Sequence, residues 1–397
     1  MQKKKRFSLF PAYCDRLLIL ATLGLVIFGS FMVVSAEMGS AAGDASVIIT
    51  SAGRQGAYFL LGLIGMIFFT RLGAIERIRL ELYWIGYFVL LGSLLICRFF
   101  PSANGAYAWI RLGPVSIQPS ELAKVFMMAF GGKLLGHNSA KNNIENFKKF
   151  WICTVVYFVI ILFIQKDLGS AIIFLGICYC VALVPPYKDY TKWHLGMLLG
   201  ILILLSLVLL LLSPWFTTFL EKHAGHYMIG RFLASANPFA YQYDTGYHLI
   251  MGLVSFATGG WFGLGYGQSI HKYMNFPNPA TDFILPVIVE ELGIMGFIVI
   301  LIGYGIIFYK LWRHSLDCTY TSGKMILMGT FVFLALHFVL NVGGVSGLIP
   351  LTGVPLLLIS SGGSSLFATM CAIGICESEI IRYKKEKEKH AHNSREV

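Results

Sequence analysis

The sequence predicts an all-α fold: a polytopic membrane protein with ten transmembrane helices and one large outer loop between the seventh and eighth. Three observations lead there. The 397 residues are 56% hydrophobic and only 13% charged, with a mean hydropathy of +0.71. Soluble domains run nearer half apolar and a quarter charged, so this surplus needs hydrocarbon as its solvent. Several apolar runs reach the roughly 20 residues that cross a bilayer as helix. The basic residues gather in short connections between those runs, so the formal net charge of +11 reads as membrane topology rather than as a nucleic-acid surface.

Taken in order, the expected spans are 16–35, 55–72, 82–100, 120–136, 150–165, 168–185, 193–213, 284–309, 325–346 and 356–378. The first follows MQKKKRF and is succeeded by further spans, so it reads as an anchor rather than a cleavable signal. The fourth starts with polar ELAK and requires protein neighbours. Gly56, Gly62 and Gly65 in one span, and Gly293, Gly296 and Gly303 in another, suit close packing between membrane helices. Near the end, GLIPLTGVPLLLISSGGSSL interrupts apolar sequence with Pro350, Gly353, Pro355, Gly362 and Gly363. Non-helical backbone at membrane depth must be buried or line a cavity, so a broken element lining a site is expected there. The chain reads as one domain, 1–397, containing an extracytoplasmic loop at 213–281 and a charged cytoplasmic tail at 381–397.

With the N-terminus inside, 23 of the 31 basic residues fall on the cytoplasmic side and eight on the other. That bias over short loops places both termini in the cytoplasm and requires an even number of spans. The eight Cys show no paired spacing and none lies in the long loop, which argues against a disulfide framework or a Cys metal site. At close to 70 residues that loop exceeds ordinary connections, and its aromatic and glycine content argues for function rather than disorder.

Asp282 is the first candidate for chemistry, standing where the loop meets the eighth span in NPATDFILPVIVEELG. Its position suits a helix cap, shared with Thr281. It equally suits a general base, or a metal- or phosphate-facing group, at a cavity mouth, because partial burial raises a carboxyl pKa toward a useful value. Glu290 and Glu291 lie eight and nine residues on, one or both at hydrocarbon depth. There they either form a buried ion pair or line a wet cavity. Arg231, Lys272 and Lys166 are the candidate counter-charges. Lys166 and Asp167 in IQKDLGSA read as a helix turn and cap, or as a contact to an anionic substrate group. Arg231 suits a phosphate clamp, since guanidinium offers bidentate geometry. QPSELAK is a helix start with Pro119 near its first position and Glu121 in its first turn. His223, His226 and His248 share the outer loop without the spacing of a zinc site. P-loop, dinucleotide, HExxH and GxSxG motifs are absent from the sequence.

Five segments together resemble the SEDS family of bacterial shape, elongation, division and sporulation proteins. They are NGAYAWIRLGPVSIQPSELAK (104–124), QKDLGSA (165–171), RFLASANPF (231–239), GGWFGLGYGQSIHKYMNFPNPATDFILPVIVEELG (259–293) and NVGGVSGLIPLTGVPLLLISSGGSSL (341–366). They occur in the family's order and cover about two thirds of the chain. GYGQSIHKYMNFPNP and GLIPLTGVPLLLISSGG look more like the division and sporulation branch.

The resemblance implies ten spans with both termini inside the bacterial cytoplasmic membrane. It implies a peptidoglycan glycosyltransferase that polymerises lipid II into glycan strands at the outer face. Asp282 matches the essential aspartate of the family's TDF motif and carries the catalytic role. Arg231, Lys124, Glu290, Glu291, Gly362, Gly363 and Ser364 match positions expected to serve substrate, with Lys166 beside them. Pro119, Glu121 and Trp109 are expected to be structural. A divalent cation, Mg or Mn, at Asp282 with the substrate diphosphate is the one cofactor considered, and no organic cofactor is expected. Expected partners are lipid II, a class B penicillin-binding protein transpeptidase and other division or elongation proteins, with no nucleic acid. The chain departs from the family where Lys166 replaces proline, where Ala108 stands near an expected arginine, and where Ser361 replaces tyrosine. These departures bear on substrate grip and partner dependence. A lipid II flippase and a scaffold for a transpeptidase are the rival readings.

Overall fold

The computed structural model describes residues 10–39, 45–72, 78–103, 105–113, 115–136, 143–211, 238–241, 246–274, 276 and 278–393. The helices are α1 (Arg16–Glu37), α2 (Ala45–Leu72), α3 (Leu80–Ile96), α4 (Pro119–Leu135), α5 (Asn143–Val159), α6 (Leu168–Leu183), α7 (Thr191–Leu211), α8 (Tyr247–Gly259), α9 (Ile284–Asp317), α10 (Thr321–Val345) and α11 (Gly363–Asn393). A short antiparallel hairpin, β1 (Ile110–Leu112) and β2 (Val115–Ile117), pairs Ile110 with Ile117 and Arg111 with Ser116.

The expected ten transmembrane helices are not what the fold presents. Among the described residues seven helices are long and apolar enough to cross a membrane: Arg16–Met38, Ala45–Leu72, Leu80–Phe99, Asn143–Ile164, Ile284–Asp317, Thr321–Val345 and Gly363–Asn393. Expected spans 120–136 and 168–185 fold as α4 and α6, of 17 and 16 residues. At 1.5 Å per residue each is about 25 Å long, short of the ~30 Å hydrocarbon core. Almost every residue of α4 is buried against protein, so its polar first turn never meets lipid. The expected span 193–213 falls on α7, whose side chains at 203–205 and 207–211 lie outside the described residues. The last span begins at Gly363 rather than 356, because residues 350–362 run as non-helical chain before it.

Packing follows from the small residues. α11 lies along α2, where the Gly374 Cα approaches the backbone of Met66 so closely that a Cβ would overlap it. α10 sits centrally, against α4, α6, α9 and α11, and α1 and α8 flank α9. Between α3, α4 and α5 the core is aromatic: the rings of Tyr87 and Tyr157 stack at 4.6 Å, and the Tyr157 hydroxyl donates to the Tyr87 carbonyl at 2.7 Å. A buried phenol needs such a partner to avoid an unpaired polar atom.

The bundle has two polar ends. At one, Asp15 caps α1 by accepting from the amides of Leu17 and Leu18 and receives His314 Nε2 (2.7 Å) and Lys310 Nζ (3.0 Å). The Asp15 amide donates to Glu377 at 3.0 Å, and Tyr383 meets His314 Nδ1. The start of α1, the end of α9 and the latter half of α11 are thereby joined. At the other end lie the outgoing turn of α1, the hairpin, the starts of α4, α6 and α9, and the broken chain before α11.

Candidate active site

α9 is broken within its third turn. Gly293 has φ 69 and ψ −168, far from helix, and the chain from 259 to 265 lies against the break. There the Leu264 amide donates to the Glu290 carbonyl (2.9 Å) and the Gly265 amide to the Glu291 carbonyl (2.9 Å). In return the Ile294 amide donates to Gly260 (2.9 Å) and that of Met295 to Trp261 (3.3 Å). A break in a membrane helix frees backbone groups that lipid cannot satisfy, and here a second segment satisfies them. The approach is so close that a Cβ at Gly293 would run into the Trp261 carbonyl, and one at Gly263 into the Glu291 carbonyl. Only glycine fits both positions.

That docked loop brings its polar residues onto Glu290 and Glu291, which are 1% and 0% exposed. Glu290 accepts from the Ser269 hydroxyl (2.6 Å), the Ile270 amide (3.1 Å) and His271 Nδ1 (2.7 Å). Glu291 accepts from Lys272 Nζ (2.7 Å), the Gly267 amide (3.0 Å) and the Ser35 hydroxyl (2.7 Å). Lys272, one of the cations the sequence offered, is itself buried and also donates to Ser35. Burying two carboxylates is tolerable only with this density of donors.

Asp282 stands in the turn two residues before α9 and is partly exposed; Phe283 occupies the helix N-cap position. Three consecutive carbonyls carry the turn. The Ser361 amide donates to Ala280 (2.7 Å), the Ser360 hydroxyl to Thr281 (2.7 Å) and the Asn341 amide to Asp282 (2.9 Å). Asn341 also donates to the Val354 carbonyl at 2.8 Å, so Asp282 and the broken chain are fastened together. Gly353, in that chain with φ 70, faces the carboxylate: a Cβ there would lie 3.5 Å from Asp282 Oδ2.

The opposite side of the broken chain meets α6. Gly169 packs on the Thr352 carbonyl and Val354, and Asp167 caps α6 by accepting from the Ser170 amide (2.9 Å). Gln118 Nε2 donates to Asp167 Oδ2 (3.1 Å), while the Gln118 amide donates to Ser364 (3.0 Å). Lys166 precedes that cap, exposed, with φ 56, an uncommon left-handed conformation for a residue with a side chain. Pro119 occupies the first turn of α4, Trp109 lies half-buried before β1, and Gly362 and Gly363 lead into α11, with Gly363 against the Tyr58 ring.

Deeper in the bundle Lys124 is fully buried, its ammonium 2.6 Å from Glu121 and 3.3 Å from His337 Nε2. His337 Nδ1 lies 3.2 Å from the Pro355 carbonyl. A carbonyl only accepts and an ammonium only donates, so Nδ1 carries the proton and Nε2 is bare. Glu121 and Lys124 thus meet each other rather than the turn at Asp282. Arg231, with His223 and His226, lies outside the described residues. Among the described residues no three His, Cys, Asp or Glu side chains are grouped to hold a metal ion. Asn341, Ser360, Ser35 and His337 were missed by sequence reasoning: their partners are distant in the chain, and an isolated Asn or Ser in apolar sequence carries no motif. A separate apolar cleft of about 320 Å³ lies between α2, α3, α4 and α11, lined by residues including Leu82, Tyr83, Phe126, Phe367 and Cys371.

The fold and the site define a multi-pass helical membrane protein with a carboxylate-bearing turn held at one polar end of the bundle. The FtsW/RodA/SpoVE family model, described as cell cycle protein, matches residues 15–386. Stage V sporulation protein E of Bacillus subtilis (strain 168) is 32% identical over 91% of this chain and 95% of its own length. The probable peptidoglycan glycosyltransferase FtsW of Legionella pneumophila is 31% identical over 94% and 92%. Among solved structures, a chain from the study "Structural coordination of polymerization and crosslinking by a peptidoglycan synthase complex" superimposes with TM-score 0.68 at 25% identity, covering 94% of this chain and 98% of that one. The rod shape determining protein RodA of Thermus thermophilus gives TM-score 0.61 at 25% identity, covering 93% and 97%. The chain belongs to the FtsW/RodA/SpoVE family. It is a peptidoglycan glycosyltransferase acting at the membrane in cell-wall synthesis.

Proposed function

We propose that the chain polymerises lipid II at the outer face of the cytoplasmic membrane, in the division and sporulation branch of its family, with Asp282 as the catalytic carboxylate. The observation that carries the assignment is the turn itself: its carbonyls are held in series and the side chain faces a residue without one. The acceptor sugar hydroxyl gives its proton to Asp282 as its oxygen bonds to the anomeric carbon of the donor. The bond from that carbon to the diphosphate breaks, and the lipid diphosphate leaves with the electron pair. Fixing one reactive group against another in this way supplies much of a catalyst's advantage. Lys166 and Arg231 are assigned to the negative charge gathering on the diphosphate, the kind of stabilisation that often dominates such reactions. A divalent cation at Asp282 would take most of its oxygen ligands from the diphosphate, since a single carboxylate is a poor cation site.

Orientation rests on the basic residues. The end joined by Asp15, Lys310 and His314 carries Arg16, Arg313 and Lys384 as well and is assigned to the cytoplasm, leaving Asp282 on the outer side. The apolar cleft between α2 and α3 suits part of the lipid tail. A class B penicillin-binding protein is the proposed partner, supported by likeness to a chain from a synthase complex of polymerisation and crosslinking. The test is glycan-chain formation from purified lipid II by the intact chain and by Asp282→Ala, with divalent cation and the transpeptidase added in separate arms. Polymer from the wild type alone supports the assignment. Polymer from both removes Asp282 from catalysis. Polymer from neither, with lipid II crossing vesicle bilayers, favours transport.

A further inference from the structure

We infer that Asn341 and Ser360 are positioning residues of the glycosyltransferase, which set where the Asp282 carboxylate stands; this rests on the catalytic reading of Asp282. The Asp282 turn has no regular secondary structure to hold it, yet three successive carbonyls each have a donor from a different place. Two of those donors are side chains. Asn341 lies on α10, 59 residues from Asp282, and is 3% exposed. Its two amide hydrogens are divided between the Asp282 carbonyl (2.9 Å) and the Val354 carbonyl (2.8 Å). Rotating the amide would set oxygen against two carbonyl oxygens, so the orientation is determined by its partners. Ser360 works in both directions, donating to Thr281 and accepting from the Leu356 amide at 2.9 Å. Together they fasten the turn before α9 to the chain that carries Gly353, the residue opposite the carboxylate.

Among the described residues Asn341 Oδ1 is buried without a hydrogen-bond partner. Leucine, of nearly the same shape, would remove that unpaired acceptor but would leave the Asp282 and Val354 carbonyls without their Asn341 donor. What the amide contributes is its two hydrogens, and both go to the turn of Asp282 and the chain that faces it.

Asn341→Leu and Ser360→Ala, made in the full chain and assayed with purified lipid II, test the inference. Positioning predicts that Asn341→Leu still folds, its unfolding midpoint modestly lowered by the two carbonyls left without a donor, while kcat falls on the order of 10²-fold, the scale of a roughly 1 Å misplacement. KM should stay within about 3-fold, since only a transition-state interaction is lost. Ser360→Ala should lower kcat by about 10-fold, one tie of three being gone. In both variants the acid limb of the pH–rate profile should move, and Asp282→Ala/Asn341→Leu should be no slower than Asp282→Ala alone. Folded Asn341→Leu and Ser360→Ala proteins with wild-type kcat, beside an inactive Asp282→Ala, would overturn the inference. An active Asp282→Ala would instead overturn the catalytic reading beneath it.

Discussion

Asp282 and the Glu290–Glu291 pair stand eight residues apart on one length of chain, and their surroundings differ in kind. The pair is sealed: its oxygens take hydrogen bonds from hydroxyls, amides, an imidazole and an ammonium, and the loop that supplies them is itself hydrogen-bonded to the helix break. Asp282 is partly exposed, and its main-chain carbonyl is held by Asn341. A buried carboxylate whose oxygens already take several fixed donors has little room for a substrate group. The role proposed for Asp282 needs a carboxylate that substrate can reach, on a turn steadied through its main chain. The comparison teaches that charge in a membrane bundle does not by itself mark a site; access to the carboxylate separates the two regions.

The largest effect that would sharpen this contrast is at the turn. Asp282→Ala should lower lipid II polymerisation by about 10³-fold or more, within the range of a lost general base, while the thermal unfolding midpoint stays put. At the sealed pair the order of effects reverses. Lys272→Met leaves Glu291 charged, buried and short of a counter-ion, and should cost about 3–5 kcal/mol, read as a lowered unfolding midpoint. A Glu290→Gln protein that folds normally but binds lipid II weakly would break the contrast, because it would give the pair a direct substrate role. Gly293→Ala acts on the frame of the pair. Its left-handed backbone alone should cost about 1–3 kcal/mol, and the overlap with the Trp261 carbonyl adds to that.

The smallest effect lies at the far end of the bundle. Burial pushes the Asp15 carboxyl up, but hydrogen bonds from Lys310 and His314, with the Leu18 amide, more than reverse this and hold it at about 2 against an ordinary 3.8. A depressed carboxyl contributes stability that is complete above its unfolded value and lost as pH falls through the folded one. Asp15→Asn should therefore be less stable than wild type at neutral pH. It should also show a flatter loss of stability between about pH 4 and 2, measured by acid unfolding in detergent.

Much of the helical architecture was legible because apolar length is a local property. α1, α2, α3, α5, α9, α10 and α11 each overlap an expected apolar run, and residues 350–362 are non-helical where prolines and glycines interrupted the sequence. The count of ten was not legible. α4 and α6 are apolar enough to read as spans but stop about 5 Å short, a difference of three or four residues that hydropathy windows blur. The likeness of five motifs to one family pointed to the activity, since those motifs are short and ordered.

By itself the sequence determined that the chain lives in a bilayer, which residues are charged at depth, and the family to which the motifs belong. Those follow from composition, run length and residue order, all of which exist before folding. Only the tertiary structure decided that Lys272 belongs to Glu291, that Lys124 faces Glu121 and His337, and that Asn341 and Ser360 hold the turn of Asp282. Hydrogen bonds and ion pairs act over a few ångströms, and the groups that make them here can lie hundreds of residues apart, as Asp15 and Glu377 do at 362. Which donor meets which carboxylate is therefore settled by how the helices pack and where α9 breaks, and no local pattern records it.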